Sequence, residues 1–343
     1  MSAAVPVGIR GIERYEPAGV QTAAQIADAA GLDEQLLIEK FGLTSKHVAA
    51  PDEHVSDMCV GAGRRLLELQ ELDAASLDAV VYFGSYWKDY EVWSASPHIQ
   101  HRLGAVNAFA LELINVSAGA PVALKVVRDM MRSDDRLRRV LLVGAAREGS
   151  LIDYGNSRSR FMFNFGAGGV AVLLERGLDR NEVLESSILT DGRFSLDVRV
   201  PAGGSVHPAS HETVDSKMHF LDVADPPHMK ELLDPITVPN FLQVATDAIE
   251  RSGHSVSDLG FLATIHVKRS LHETLLAKLG LTSERSWYLH DWGHMSAIDP
   301  FIALSLAQDD GHLSDGDLVC ILAAGTGYTW AATCLRWGSR ASG

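Results

Sequence analysis

Three stretches of this chain occur twice, in the same order. LDAASLDAVVYFGSY, RRVLLVGAAREG and FGAGGVAVLLERG are echoed by HSVSDLGFLATIHVK, GDLVCILAAGTG and GTGYTWAATCLRW. The spacing is near 180 residues for the first two pairs and about 160 for the third. Each stretch is a short apolar run bounded by turn residues, the mark of a buried strand. Ordered repetition on this scale points to a duplicated unit. It predicts two similar α/β halves, 1–176 and 177–343, with a cleft between them as the natural place for chemistry.

The remaining pattern fits that plan. Helix periodicity covers Ala23–Ala30, Asp33–Lys40 and Val55–Leu69, then the run after Ser117, Ile236–Ser252, Ser270–Leu279 and Pro300–Gln308. β-rich runs are Ala79–Phe83, Phe109–Val116, Val140–Val143 and Val170–Leu174 in the first half. In the second they are Phe261–His266, Trp287–Leu289, Leu318–Leu322 and Thr329–Leu335. The shorter spacing of the third pair leaves an extra segment, 147–165, whose Gly, Ser, Arg and Tyr suit a surface loop. Residues 200–235, rich in Gly, Pro, His and Asp, suit a loop excursion near the cleft.

Composition excludes several classes. Hydrophobic residues make up 46% of the 343 and charged residues 22%, the profile of a well-cored soluble protein. No apolar run reaches membrane-spanning length, and MSAAVPVGIRGIERYEP lacks the basic start and apolar core of a signal peptide. Cytosolic residence is expected. Cys59, Cys320 and Cys334 have no metal-ligand spacing, which suits reduced buried thiols. His290 and His294 form H-x3-H, but with no third ligand evident no metal is expected. The net charge of −14 argues against nucleic acid or an anionic membrane as a general partner. Local basic groups, Lys268 with Arg269 and Arg158 with Arg160, leave room for an acidic carrier protein.

LELINVSAGAPVALK places Ser117 where a strand runs into a helix, beside Ala118, Gly119 and Ala120. A serine there has two uses. It caps the helix, or it acts as a nucleophile with small neighbours and a favourable helix dipole. A hydroxyl, unlike a thiol, needs a base to become nucleophilic. Two histidines end strands in the second half: His266 closes FLATIH, and His294 stands in HDWGHMSAIDP. Asp299 follows His294 by five residues; it orients that imidazole, or it caps the helix that Pro300 opens. GTGYTW has no dinucleotide-binding pattern, but its glycines allow close backbone approach, so the N–H groups of Ser117 and Thr326 form a candidate oxyanion hole.

Together GLTSKHVAAPDEHVSDM, FALELINVSAGAPVAL, FGAGGVAVLL, IHVKRS, WGHMSAI and GTGYTWAA resemble the ketoacyl-ACP synthase III family of the thiolase superfamily. The resemblance covers nearly the whole chain. It implies a thiolase-like duplicated fold, with two mixed five-stranded sheets layered with helices as αβαβα, and a homodimer. It also implies an acyl donor carried as a phosphopantetheine thioester, either acyl-CoA or acyl carrier protein, with no permanently bound cofactor. Lys40, Arg158 and Arg160 lie near the family's basic donor-binding positions, and Lys268 and Arg269 extend that patch. Leu36 stands where coenzyme A users often have tryptophan, which favours a carrier-protein donor.

Two departures carry the functional expectation. Ser117 replaces the family's cysteine, and His294 replaces the asparagine that pairs with the retained histidine, His266, in stabilising an enolate. An oxoester is a poor electrophile toward carbon, whereas transfer to an oxygen, nitrogen or thiol acceptor needs a base and no enolate. The expectation is therefore an acyltransferase with Ser117, His294 and Asp299 as its catalytic group, in polyketide or antibiotic biosynthesis. His266 would stand beside them to handle the acceptor's proton. The alternatives are a starter-unit ketosynthase that condenses with malonyl-carrier, and a non-catalytic partner subunit in which Ser117 only caps its helix.

Overall fold

The computed structural model describes residues 5–339. Residues 1–4 and 340–343, the outer ends of the stretches assigned to the two halves, lie outside the described residues. In the first half the sheet strands are β1 (Val7–Tyr15), β2 (Ala79–Tyr82), β3 (Phe109–Glu112), β4 (Arg139–Ala146) and β5 (Gly168–Arg176). The second half has β6 (Glu182–Thr190), β7 (Leu259–Thr264), β8 (Leu318–Gly325) and β9 (Thr329–Arg336). The principal helices are α1 (Val55–Leu69), α2 (Ala95–Leu103), α3 (Gly119–Ser133), α4 (Asp234–Arg251), α5 (Arg269–Lys278) and α6 (Asp299–Asp309).

The nine strands run in the order β7-β8-β9-β6-β1-β5-β4-β2-β3. This order is nearly a palindrome of the duplication: β2, β4, β5 and β1 mirror β7, β8, β9 and β6. Each half mixes parallel and antiparallel pairs, β2 with β4 and β7 with β8 being parallel. The halves join through β1 and β6, where Gly8 faces Glu182. The expected fifth strand of the second half is not formed. Instead of a strand at Trp287–Leu289, a single parallel bridge links Leu262 to Ser286. The expected long strand Phe109–Val116 also stops early, at Glu112. The Glu112 carboxylate accepts from Ala95 N at 2.5 Å, capping α2, and the chain then bends toward Ser117.

Helices lie on both sides of and between the sheets. α1 and α2 pack on one outer face with Val60, Leu66, Ile99 and Leu103. α4 and α5 cover the other with Phe241, Val244, Ala248 and Leu275. α3 and α6 fill the centre. On α3 the residues Ala120, Ala123, Leu124, Val127 and Met131 recur at helical spacing and are all buried. On α6, Phe301, Ile302, Ala303 and Leu304 are consecutive and buried, as expected of a helix enclosed on every side. Burying each of the larger of these side chains, the Leu, Ile, Val, Phe and Met, stabilises the fold by about 1.5–3 kcal/mol. The αβαβα layering follows from these two central helices.

Other segments differ from expectation in detail. The Asp33–Lys40 helix is α-helical only over Glu34–Leu36 and widens into a π turn over Leu37–Phe41. The segment 147–165 is half inside the protein: Leu151, Ile152, Met162 and Phe163 are buried. All three cysteines are free and buried, and Cys320 faces Cys334 across β8 and β9. No described helix is long and apolar enough to cross a membrane.

Candidate active site

The site forms where the N-termini of α3 and α6 meet. Ser117 follows Val116, whose φ of 45° lies in the left-handed region that β-branched residues avoid. That strained turn lets the chain leave β3 and enter α3 with the serine side chain facing the other half. Ala118, not Ser117, is the N-cap of α3, and no side chain caps that end. The hydroxyl is spent elsewhere: Ser117 Oγ lies 2.8 Å from His294 Nε2.

His294 in turn reaches Asp299, with Nδ1 2.6 Å from Oδ2. Asp299 occupies the first position of α6 rather than its cap, which is Ile298. The carboxylate is fully buried and accepts three hydrogen bonds: Met295 N at 2.6 Å, His266 N at 2.7 Å and the His294 ring. None comes from its own helix. Gly293, with φ of 72°, permits this arrangement, because a Cβ there would strike the Asn164 carbonyl.

The two imidazoles are tuned in opposite directions. Burial pushes the His294 ring down, but the charge and hydrogen bond of Asp299, with Glu148 at longer range, outweigh it and hold its pKa above 6.5. His266 is lowered to about 4, chiefly by burial, which Asp299 only partly offsets. His266 Nδ1 accepts from Asn164 Nδ2 at 2.8 Å, and Nε2 lies 3.3 Å from Gly42 O. Both its nitrogens already face protein partners, whereas His294 Nε2 faces the serine hydroxyl.

Three residues of the site were not found in the sequence, and all come from the segment read as a surface loop. Asn164 holds His266, and its Oδ1 is buried without a partner among the described residues. The Phe165 ring stands edge-on to His294 with centroids 4.9 Å apart. Glu148 opens a 3-10 turn after β4, and burial raises its carboxyl pKa, with His294 among the charges that oppose the rise. The one available signal was FMFNFG, an asparagine flanked by large apolar residues that belong in a core.

The oxyanion candidates lie on neighbouring segments. A Cβ on Gly325 would sit 3.0 Å from Ser117 N, so the GTGYTW loop presses directly on the serine turn. Ala118 N and Gly119 N are bonded to Asn115 O and Val116 O. Ser117 N and Thr326 N have no such backbone partner among the described residues.

The expected donor-binding residues divide into two places. Arg269 lies 4.6 Å over the Tyr288 ring, and the Tyr288 hydroxyl donates to Val267 O at 2.8 Å and lies 3.2 Å from Phe41 O. That contact brings Arg269 and the exposed Lys268 next to the turn bearing exposed Lys40 and half-buried Leu36. Arg158 is paired with Asp222 at 2.5 Å, and Arg160 is exposed on the same short turn. His290 is exposed, away from buried His294. Among the described residues no cluster of His, Cys, Asp or Glu suits a metal ion.

Comparison with known proteins agrees with this architecture. Family models for 3-oxoacyl-[acyl-carrier-protein] synthase III match residues 111–192, and models for its C-terminal part match residues 249–337. The β-ketoacyl-[acyl-carrier-protein] synthase III of Solibacter usitatus is 28% identical over 94% of this chain and 96% of its own. The crystal structure of 3-oxoacyl-(acyl carrier protein) synthase III from Pseudomonas aeruginosa superposes with a TM-score of 0.83 at 23% identity, covering 97% of this chain and 99% of that one. The priming β-ketosynthase of the R1128 polyketide pathway gives a TM-score of 0.84 at 22% identity, covering 98% and 97%. The chain is a ketoacyl-ACP synthase III-like protein of the thiolase fold, an enzyme of the acyltransferase class.

Proposed function

We propose that this protein moves an acyl group from a carrier-bound thioester, through an ester on Ser117, to an acceptor carrying a hydroxyl, amine or thiol. One observation carries the reading: the unbroken line from Ser117 Oγ through His294 to buried Asp299, with links of 2.8 and 2.6 Å. His294 Nε2 takes the hydroxyl proton as Ser117 Oγ attacks the thioester carbon. The N–H groups of Ser117 and Thr326 receive the charge that develops on the carbonyl oxygen. The imidazolium, steadied by Asp299 and at longer range by Glu148, then protonates the departing thiol. In the second half of the reaction His294 takes the acceptor's proton as the acceptor attacks the ester, and returns that proton to Ser117. No step needs an enolate.

His266 fits a supporting place here rather than the proton-transfer role expected of it, since both its nitrogens are engaged by Asn164 and Gly42. The division into halves 1–176 and 177–343 belongs to the same reading: the first half supplies the nucleophile, the second the base, the carboxylate and the Thr326 loop. So do the donor surface of Lys40, Arg158, Arg160, Lys268 and Arg269, a carrier-protein or coenzyme A donor, the homodimer, cytosolic residence and a place in polyketide or antibiotic biosynthesis.

The test is intact-mass measurement after mixing the protein with a panel of acyl-CoA and acyl-carrier donors. A single acyl adduct should form and be absent from Ser117→Ala. An adduct that persists in Ser117→Ala discards the nucleophile. Release of carbon dioxide from labelled malonyl-carrier would replace transfer with condensation.

A further inference from the structure

Lys46, in the GLTSKH stretch, has no part in the chemistry above, yet it is fully buried. A lysine is almost never enclosed unless its donors are met. Its Nζ donates to the carbonyls of Phe163 at 2.9 Å and Phe165 at 2.6 Å. Among the described residues no neighbouring charge offsets burial, which pulls its pKa down to about 7. The charged and the neutral amine both carry N–H groups enough for two carbonyls. The Tyr154 ring lies 5.5 Å from Nζ.

The two carbonyls belong to the segment that touches both histidines. Asn164, between them, donates to His266 Nδ1 at 2.8 Å, and its own carbonyl accepts from His294 N at 2.9 Å. Phe165 supports the His294 ring, and Gly166 N donates to His294 O at 2.9 Å. The stem of Lys46 is equally close: its Cβ lies 3.2 Å from where a Cβ on Gly293 would sit, and 3.5 Å from one on Gly166. One side chain therefore holds the segment that reaches His266 through Asn164 and packs against the turn that bears His294.

We propose that Lys46 is the positioning residue of this site, holding the Phe163 and Phe165 carbonyls together and thereby setting where the His266 and His294 rings stand. The inference rests on the proposed role of His294, but its test has a readout of its own. Lys46→Met keeps the stem and removes the donors. In that variant the imidazole 15N resonances of both His266 and His294 should move. Ser117 acylation should slow on the order of 10- to 100-fold, the cost of misplacing a reacting group by about an ångström, with donor KM unchanged. Lys46→Gln, which restores an N–H donor, should recover part of both. Unmoved imidazole resonances in Lys46→Met, or acylation within about twofold of the parent, would overturn the proposal. Failure of both variants to fold would overturn it as well, because Lys46 would then serve the fold rather than the aim of the rings. If the parent chain forms no acyl-serine, the functional reading falls while the imidazole spectra still decide the place of Lys46.

Discussion

Val116 and Ser296 stand 180 residues apart, and each holds a left-handed backbone, with φ of 45° and 55°. Each is followed three residues later by the first residue of a central helix, Gly119 in α3 and Asp299 in α6. The two joints are one structural device used twice, and they differ in what they carry. Where the first has Ser117, the second has Ala297; where the second opens its helix with a carboxylate, the first opens with glycine. No acid stands in the first turn of α3, so its positive end is left uncompensated beside Ser117. At α6 the same positive end is met by Asp299. Duplication brings two helix N-termini face to face, and unequal loading of them turns a symmetric contact into a serine facing an imidazole held by a carboxylate.

The sharpest way to break this comparison is at the bases. His294→Ala removes the imidazole that touches Ser117 and should slow acyl-serine formation by about 10⁶-fold, the scale seen when the histidine of such a group is lost. His266→Ala should cost less, since that ring does not touch the hydroxyl. The reverse order, measured by rapid-quench mass spectrometry, would reassign the base. The pH dependence has a definite sign. Only neutral His294 accepts a proton, so acylation should rise with pH through an apparent pKa above 6.5. His266, lowered to about 4, is already neutral there and adds no second limb between about pH 5 and 8.

A smaller effect is expected at the carboxylate. Asp299→Asn leaves the shape but brings an N–H₂ group against donors that now reach an acceptor: His294 Nδ1, His266 N and Met295 N. Acylation should fall by about 10²- to 10⁴-fold as the ring loses its orientation and tautomer. An unsatisfied buried group adds about 1–3 kcal/mol of instability, visible as a lower Tm. A lower Tm with unchanged acylation would reduce Asp299 to a tie between the two histidine segments.

Much of this arrangement is legible in the sequence, and the reasons are local. Ser117, His294 and Asp299 each sit at a turn that announces itself with small residues, glycine or proline. The repeated strands announced the halves because β4, β5, β8 and β9 are enclosed and so nearly all apolar. β1 and β6 escaped notice because both are only partly buried and carry charge, as in VGIRGIERY. Asn164, Phe165 and Glu148 escaped for a different reason. Their segment is polar enough to read as surface, and tertiary contacts draw it inward: Lys46, His266 and His294 on its polar groups, and an apolar cluster around Ile152, Met162 and Phe163. Local chemistry marks a group that stands at a turn beside small residues, glycine or proline, whereas a group supporting another across the fold is marked at most by apolar flanks such as those of Asn164.

The smallest expected effect tests whether the two joints truly meet. A Cβ on Gly119 would lie 2.7 Å from the Ala297 Cβ and 2.8 Å from the Phe83 carbonyl. Gly119→Ala should therefore destabilise the protein by about 1–3 kcal/mol through overpacking, a Tm loss of a few degrees in a chain of this size. Ala297→Gly removes the methyl on the opposite joint and should cost about 1 kcal/mol by itself. If the joints press on each other, combining the two should recover part of the Gly119→Ala loss, giving a coupling of at least about 0.5 kcal/mol. Strict additivity by thermal denaturation would show that the Phe83 carbonyl alone resists the added methyl. The close approach of the two helix starts would then be a passive consequence of the duplication, and the glycine at the head of α3 would be required by its own half.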